Sequence, residues 1–261
     1  MNKQITGSGT VGKALDVLDT VASFGRPVRF SELLADSPHP KATLYRLLQS
    51  LTHERLITHD AESGSYSLGL RLVQLAHSAW RQSSLAPIAA PTIEALAKET
   101  GETVHLAQID NGQIIFVDKC RTSNIFETLA QPGRVAPAFC TGVGKAILAF
   151  LSADRLDRAL TQQAFLQYTP NTHPSPASLM VELAQIAQDG IAFDREEHEQ
   201  GIISIAAPIL DGNDRVIGAV SIVTSTTRKS LDDLSVFRPA LLAATARIGA
   251  EAHDWQFPAV S

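Results

Sequence analysis

The run from Arg29 to Leu68 constrains this chain most: two short helical stretches divided by a proline-bounded break, then a polar-tipped hairpin. Ser31-Glu32-Leu33-Leu34-Ala35 offers a serine N-cap and a short apolar stripe. Pro38 and Pro40 push the residues before them out of the helical region, and one of them is free to start a new helix, so the second helix is predicted to begin near Pro40. From there Leu44, Leu47, Leu48 and Leu51 recur at i, i+3, i+4 and i+7 and bury one face, leaving Lys41, Ala42, Thr43, Tyr45, Arg46 and Gln49 on the rest. After Leu56-Ile57, β-formers flank Glu62-Ser63-Gly64 up to Leu68, the form of a wing that presents Tyr66. A preceding helix is expected from Val11 to Phe24, closed by Gly25 and packed through Ala14, Leu15, Leu18 and Val21. This is the layout of a winged helix-turn-helix, whose second helix, small and basic on its exposed N-terminal half, suits the major groove of DNA. Other small three-helix units share the periodicity, so an ordinary helical corner stays open on pattern alone.

A length of 261 residues fits two compact domains, and 44% hydrophobic residues suffice for two cores. The net charge of −5 is unevenly divided: residues 1–85 hold nine Lys/Arg against seven Asp/Glu, a balance of +2, and the remainder 13 against 20, a balance of −7. The small positive excess lies on the expected DNA domain, and two copies are needed to collect enough phosphate contacts. Cys120 and Cys140 show neither a pairing pattern nor zinc spacing, so no structural disulfide, metal or cofactor is expected. The first residues lack an apolar signal core, and no stretch approaches the roughly 20 apolar residues of a membrane span. A cytoplasmic protein with no membrane partner is the expectation.

The expected division is a winged domain over 1–69, a linker and dimerisation helix over 70–85, and a second domain over 86–261. On the linker, Leu72, Val73, Ala76, Ala79 and Trp80 share one face. That face either covers its own domain or meets a second copy; the second is favoured, since a Trp on a connecting helix has little domain of its own to cover. Beyond it the pattern predicts a helix from Ala86 through Lys98, then strands near Thr103–Ile109 and Gln113–Cys120 joined at Asn111-Gly112. Helices from Gly142 to Leu151 and from Ser175 to Asp189 precede strands near Ile191–Asp194, Ile202–Ile209 and Val216–Val223, and one helix from Ser230 to Ala252 closes the chain. The class is α+β with a mainly antiparallel sheet.

Catalytic patterns are thin. There is no Gly-x-Ser-x-Gly and no His-Glu-x-x-His, and Glu196-Glu197-His198-Glu199 reads as a solvated charge cluster rather than a metal site. An enzyme is therefore disfavoured. Thr141-Gly142-Val143-Gly144 opens a helix whose unpaired N–H groups suit a carboxylate, with Gly142 and Val143 as the expected donors. The competing reading has these glycines merely relieving crowding against the sheet, and the spacing is not that of a phosphate loop.

Pro40-Lys41-Ala42-Thr43-Leu44-Tyr45-Arg46-Leu47-Leu48, Leu56-Ile57 and Gly64-Ser65-Tyr66-Ser67-Leu68-Gly69 resemble the N-terminal domain of the IclR family of bacterial transcriptional regulators. Gly101-Glu102-Thr103-Val104-His105-Leu106, Gly142 to Ala146, Gly190 to Asp194 with Glu196-Glu197, and Ala206 to Ile209 follow that family's order and spacing through the rest of the chain. The resemblance implies a winged helix-turn-helix joined by a linker helix to a GAF-like α/β effector domain. It implies a regulator that binds a near-palindromic duplex operator as a homodimer or dimer of dimers and responds to a small organic acid. Repression of a catabolic operon is the implied outcome, with activation, or a ligand-sensing module that does not bind DNA, as alternatives. DNA contacts are implied for Lys41, Ala42, Thr43, Tyr45, Arg46 and Tyr66. The implied effector pocket comprises Gly142, Val143, Asp194, Ile202, Ser204 and Ser221, with an apolar wall near Ile125, Thr128 and Ala136.

Three departures from the family pattern matter. Ser204 stands where many members carry cysteine, which substitutes a hydroxyl for a thiol. Ser65 and Ser67 flank Tyr66 where a basic residue is common, so wing contacts to phosphate should be weaker. Ala42 replaces a common serine and keeps a methyl able to meet thymine. Asp194 repels a bare carboxylate, so the implied ligand is a small hydroxy, keto or aldehyde acid, while Phe126 and Phe139 leave an aromatic acid open.

Overall fold

The computed structural model describes residues 9–121 and 128–252, apart from the side chains of 81–83. The chain divides into two compact units, Met1–Gln82 and Ser83–Ser261.

The first unit runs α1 (Thr10–Ser23), β1 (Val28–Arg29), α2 (Phe30–Asp36), α3 (Lys41–His53), β2 (Ile57–Asp60), β3 (Ser65–Leu68) and α4 (Leu70–Ser83). The leucine face of α3 is its centre: Leu44, Leu47, Leu48 and Leu51 are all buried against Val17, Leu18 and Val21 of α1 and Leu33 of α2. On α1 the expected inward Leu15 instead stands 55% exposed, and Val17 takes the inward place. Helix α2 begins one residue before Ser31, because Glu32 fastens its first turn: its carboxylate accepts the Arg29 N–H at 3.0 Å and holds the Arg26 guanidinium at 2.6 Å. The short β1, invisible to any period, pairs with β3 through Val28 and Tyr66 and completes a sheet in the order β1-β3-β2. The wing turns at Gly64, φ 66°, where Asp60 accepts from the Glu62 N–H at 3.0 Å and the Ser63 hydroxyl at 2.5 Å. Those bonds, the Ser63 one foremost, hold the Asp60 carboxyl below its usual range.

The second unit runs α5 (Ala86–Thr100), β4 (Thr103–Asp110), β5 (Gln113–Cys120), β6 (Val135–Pro137), α6 (Gly142–Leu148), α7 (Ala153–Thr161) and α8 (Pro176–Asp189). It continues with β7 (Ala192–Arg195), β8 (Ile202–Leu210), β9 (Val216–Ser225), α9 (Leu231–Ser235) and α10 (Arg238–Glu251). The strands form one antiparallel sheet in the order β6-β5-β4-β9-β8-β7. Helix α6 lies against the sheet face that carries Ser204 and Ala206, while α5 and α10 pack together on the side of Ile209.

In the second unit two elements went unread in the sequence, β6 with three residues and α7 with a mostly polar surface. The predicted closing helix is in fact two. A capping box between Ser230 and Asp233 opens α9, and Pro239 restarts the chain in the first turn of α10. Among the described residues no helix is long and apolar enough to cross a membrane. Cys120 and Cys140 are free thiols.

Candidate functional site

With its leucines turned inward, α3 presents Lys41, Ala42, Tyr45, Arg46 and Gln49 to solvent and leaves Thr43 half-buried. Neither Lys41 nor Arg46 has an ion-pair partner among the described residues. Tyr45 is oriented, not loose: its ring meets Phe30 edge-on at 6.1 Å and its hydroxyl accepts from Gln49 Nε2 at 3.0 Å. Helix α3 starts after Pro40 with no side-chain cap, so its first N–H groups keep their capacity to donate. Tyr66 corrects the expectation of a wing-tip contact. It is 8% exposed, packed in the core of the unit with its ring 4.5 Å from that of His59. Alternation along β3 decides this, since Ser65 and Ser67 point the other way.

In the second unit, strand register gathers a recess. Asp194 on β7 faces Ser204 on β8; on β9 Val223 lies opposite Ser204, and Ser221 lies between Ala206 and His105. Side chains two residues apart share a face, so Asp194, Ser204, Ser221 and His105 all stand on the side covered by α6. The recess encloses about 390 Å³ counted to its open mouth. Thr128, Gly142, Val143, Asp194, Ile202, Ser204 and Ser221, all expected from the sequence, line it together with His105, Phe116, His198 and Glu199, which were not.

Close approach explains the two glycines. A Cβ on Gly142 would lie 2.6 Å from Ser204 Oγ and 3.6 Å from Asp194 Cβ, and one on Gly144 would lie 2.2 Å from the Ala138 carbonyl oxygen. Relief of crowding and access of backbone to the recess are thus the same fact. Ser204 and Ser221 are 4% and 2% exposed, yet their hydroxyls have no hydrogen-bond partner among the described residues. Both line the recess, so their free donor and acceptor capacity faces a place where a polar ligand fits.

Electrostatics sharpen the recess. Burial, reinforced by the neighbouring Glu197 carboxylate, raises the Asp194 carboxyl to about 7. Burial lowers the His105 imidazole to about 3, with Lys119 and Arg121 adding to the effect, so this ring is neutral. Lys119 donates from Nζ to Thr128 Oγ1 at 2.9 Å and to the Ala130 carbonyl at 2.7 Å, at the rim.

Behind Asp194 sits a buried ion network. The ammonium of Lys145, wholly buried on α6, lies 2.9 Å from both Glu182 oxygens on α8 and hydrogen-bonds Glu197. His173 and Arg195 also reach Glu182, at 2.6 and 2.7 Å. The Glu197 N–H in turn donates to Asp194 Oδ1 at 2.9 Å. The segment Glu196 to Glu199 is therefore not the solvated cluster expected from its composition: Glu197 is 2% exposed. One ligand atom each from His173, Glu182 and Glu197 lies within 4.8 Å of the others, a grouping that could hold a metal. Lys145 already occupies those carboxylates, and with Arg195 it balances their two charges, so a divalent cation would arrive uncompensated.

Other placements differ from expectation. Ala136 is buried in the core opposite Ile114 on β5 and does not reach the recess, whose wall there is Ala130. Phe139 is likewise core, 4.6 Å from Phe165. Ile125 and Phe126 lie outside the described residues.

The family model described as "IclR helix-turn-helix domain" matches residues 10–61, and the one described as "Bacterial transcriptional regulator IclR C-terminal" matches residues 77–250. The HTH-type transcriptional regulator XynR of Escherichia coli (strain K12) is 30% identical over 232 residues, 89% of this chain and 92% of its own. The transcriptional repressor IclR of the same strain is 28% identical over 238 residues, 90% and 87% of the two chains. The crystal structure of the Thermotoga maritima IclR superposes with a TM-score of 0.77 at 26% identity, covering 94% of this chain and 98% of that one.

Carboxyl-carbon NMR should find one aspartate titrating near pH 7 and lose that signal in Asp194→Asn; a signal near pH 4 would contradict the burial argument. The sign of the linkage follows. The folded state holds this proton more tightly than the unfolded chain, so its stabilising contribution is full in acid and is lost as pH rises through about 7. Lys145→Met leaves two carboxylates buried without their ammonium and should cost about 3–5 kcal/mol in urea unfolding of the second unit. A loss below about 1 kcal/mol would show that the network is not structural.

Proposed function

The chain belongs to the IclR family of bacterial transcriptional regulators, and from that premise we propose that it is a repressor of a catabolic operon, binding a near-palindromic operator as a dimer and a small organic acid in the α6 recess. As a member of this family it is a DNA-binding regulator and not an enzyme. Repression is supported by the E. coli IclR, itself a transcriptional repressor.

The exposed side of α3 is the reading surface. Arg46 and Lys41, free of acidic partners, serve phosphate or guanine, Ala42 and Thr43 offer small contacts to base edges, and Tyr45 is held at the rim. Tyr66 supports the wing from inside. Dimerisation is supported by apolar side chains that their own unit leaves uncovered: Val73 63% exposed on α4, with Ala76 and Ala79 beside it, and Val11 74% exposed on α1. Leu72 differs from these, since it packs on the core of its own unit.

The observation that carries the effector reading is the pair of unpartnered hydroxyls of Ser204 and Ser221 that line the recess beside Asp194. Near neutral pH this carboxyl exists in both states. Protonated, it donates to a ligand carboxylate; ionised, it accepts from a ligand hydroxyl. A short hydroxy acid, or the hydrate of a keto or aldehyde acid, satisfies both, with the Gly142 and Val143 N–H groups facing its acid oxygens. To act as a switch, this ligand must bind the DNA-competent and DNA-incompetent arrangements with different affinity.

Selection of duplex DNA by the full-length protein from a random pool should recover a two-fold symmetric site bound with steep salt dependence. Arg46→Ala should weaken that complex about tenfold and lower its salt slope by about one. Recovery of no enriched sequence would sink the operator reading. Screened against two- to four-carbon hydroxy and keto acids, the complex should release DNA. Asp194→Ala should shift the dose-response by about tenfold while leaving ligand-free DNA affinity intact, and an unshifted curve would remove Asp194 from the pocket.

A further inference from the structure

Away from the α6 recess, the second unit holds another concavity, between α7 and the β4–β5 turn. Asn111 and Gly112 turn this hairpin with positive φ, 46° and 72°. Only glycine fits the second position, where a Cβ would stand 2.3 Å from Gln162 Oε1 and 3.2 Å from the Ala159 carbonyl oxygen. Gln163 Nε2 donates to the Gly112 carbonyl at 2.5 Å and fastens the turn to the helix. The hollow so enclosed measures about 540 Å³ to its open mouth and has Ile109, Leu151 and Ala159 as its apolar side.

Its polar side is cationic. Arg155, Arg158 and Gln162 follow at i, i+3 and i+7 and share one face of α7. Neither guanidinium has a hydrogen-bond or ion-pair partner among the described residues, although Asp154 stands one turn before Arg158. Arg195, Arg215, Arg228 and Arg247 of the same unit, by contrast, each rest on a carboxylate, while Arg134 has no side-chain partner among the described residues and Arg238 bonds the Asp189 carbonyl. Two arginines converging on a hollow without an acid repel one another unless an anion lies between them.

We propose that this hollow is a second ligand site, taking the phosphate group of a small molecule or free phosphate. The two guanidinium forks match phosphate oxygens in pairs, Gln162 adds an amide, and the apolar side accommodates the short carbon chain of a phosphate ester. Asn111 contributes shape more than donors, since its amide is engaged by Asp110 at 3.2 Å. The site is independent of the DNA and effector readings above.

Calorimetric titration of the full-length protein, in chloride buffer of fixed ionic strength, with inorganic phosphate and separately with glycerol 3-phosphate, tests it. We expect one saturable site per chain with Kd at or below about 1 mM. Arg155→Ala with Arg158→Ala should weaken binding at least about tenfold, while Arg247→Ala, which removes a positive charge on α10, should leave it unchanged. Tighter binding of the ester assigns the site to phosphomonoesters, and equal or weaker binding assigns it to the free ion. Binding that does not saturate, or an equal loss in Arg247→Ala, would overturn the site as diffuse charge attraction. Should the alanine pair fail to fold, Arg155→Lys with Arg158→Lys keeps both charges and loses the forks. It is expected to bind about threefold more weakly, and unchanged affinity there would overturn the proposed recognition.

Discussion

A fully buried ammonium governs the second unit. Lys145 could not sit at zero exposure without carboxylates around it, and Glu182 and Glu197 are drawn in from α8 and from the turn after β7 to meet it. That demand ties three segments far apart in sequence to one point. It fixes α6 against the sheet, so that Gly142 must be glycine, and it sets the Glu197 backbone where its N–H reaches Asp194. The polar wall of the recess is thus held from behind by charge and from below by strand register.

The same network keeps Asp194 from being an ordinary aspartate. A carboxyl deprived of water and set beside a second carboxylate gives up its proton reluctantly, and here that brings its titration into the neutral range. Next to it the Ser204 and Ser221 hydroxyls stay unpaired. Lining the recess and bonding nothing among the described residues of their own unit, they keep both donor and acceptor capacity for a ligand.

The first unit works by a simpler constraint. Four leucines on one side of a short helix bury themselves, and the remaining surface of α3 is whatever is left, a basic and small-residue face without acidic partners. Tyr66 shows the cost of reading function from position alone. The residue sits in the wing, but alternation turns its ring into the core and leaves serines to meet the solvent.

The sequence by itself determined whatever depends on local period and local stops. The leucine spacing of α3, the Asn111-Gly112 turn, the serine cap of α8 and the long apolar strands are decided within a few residues, so these elements stand where the pattern put them. Resemblance to the family singled out Asp194, Ser204 and Ser221, which line one recess with Gly142. Elements of two or three residues such as β1 and β6 left no period to detect. Only the tertiary structure decided that His105 stands across from Ser221, that Ala136 belongs to the core, and that Glu197, within the run of acids around His198, is buried. The physical reason is common to all three. Strand register and the pairing of a buried charge are settled between segments remote along the chain, and no window of neighbouring residues contains that information.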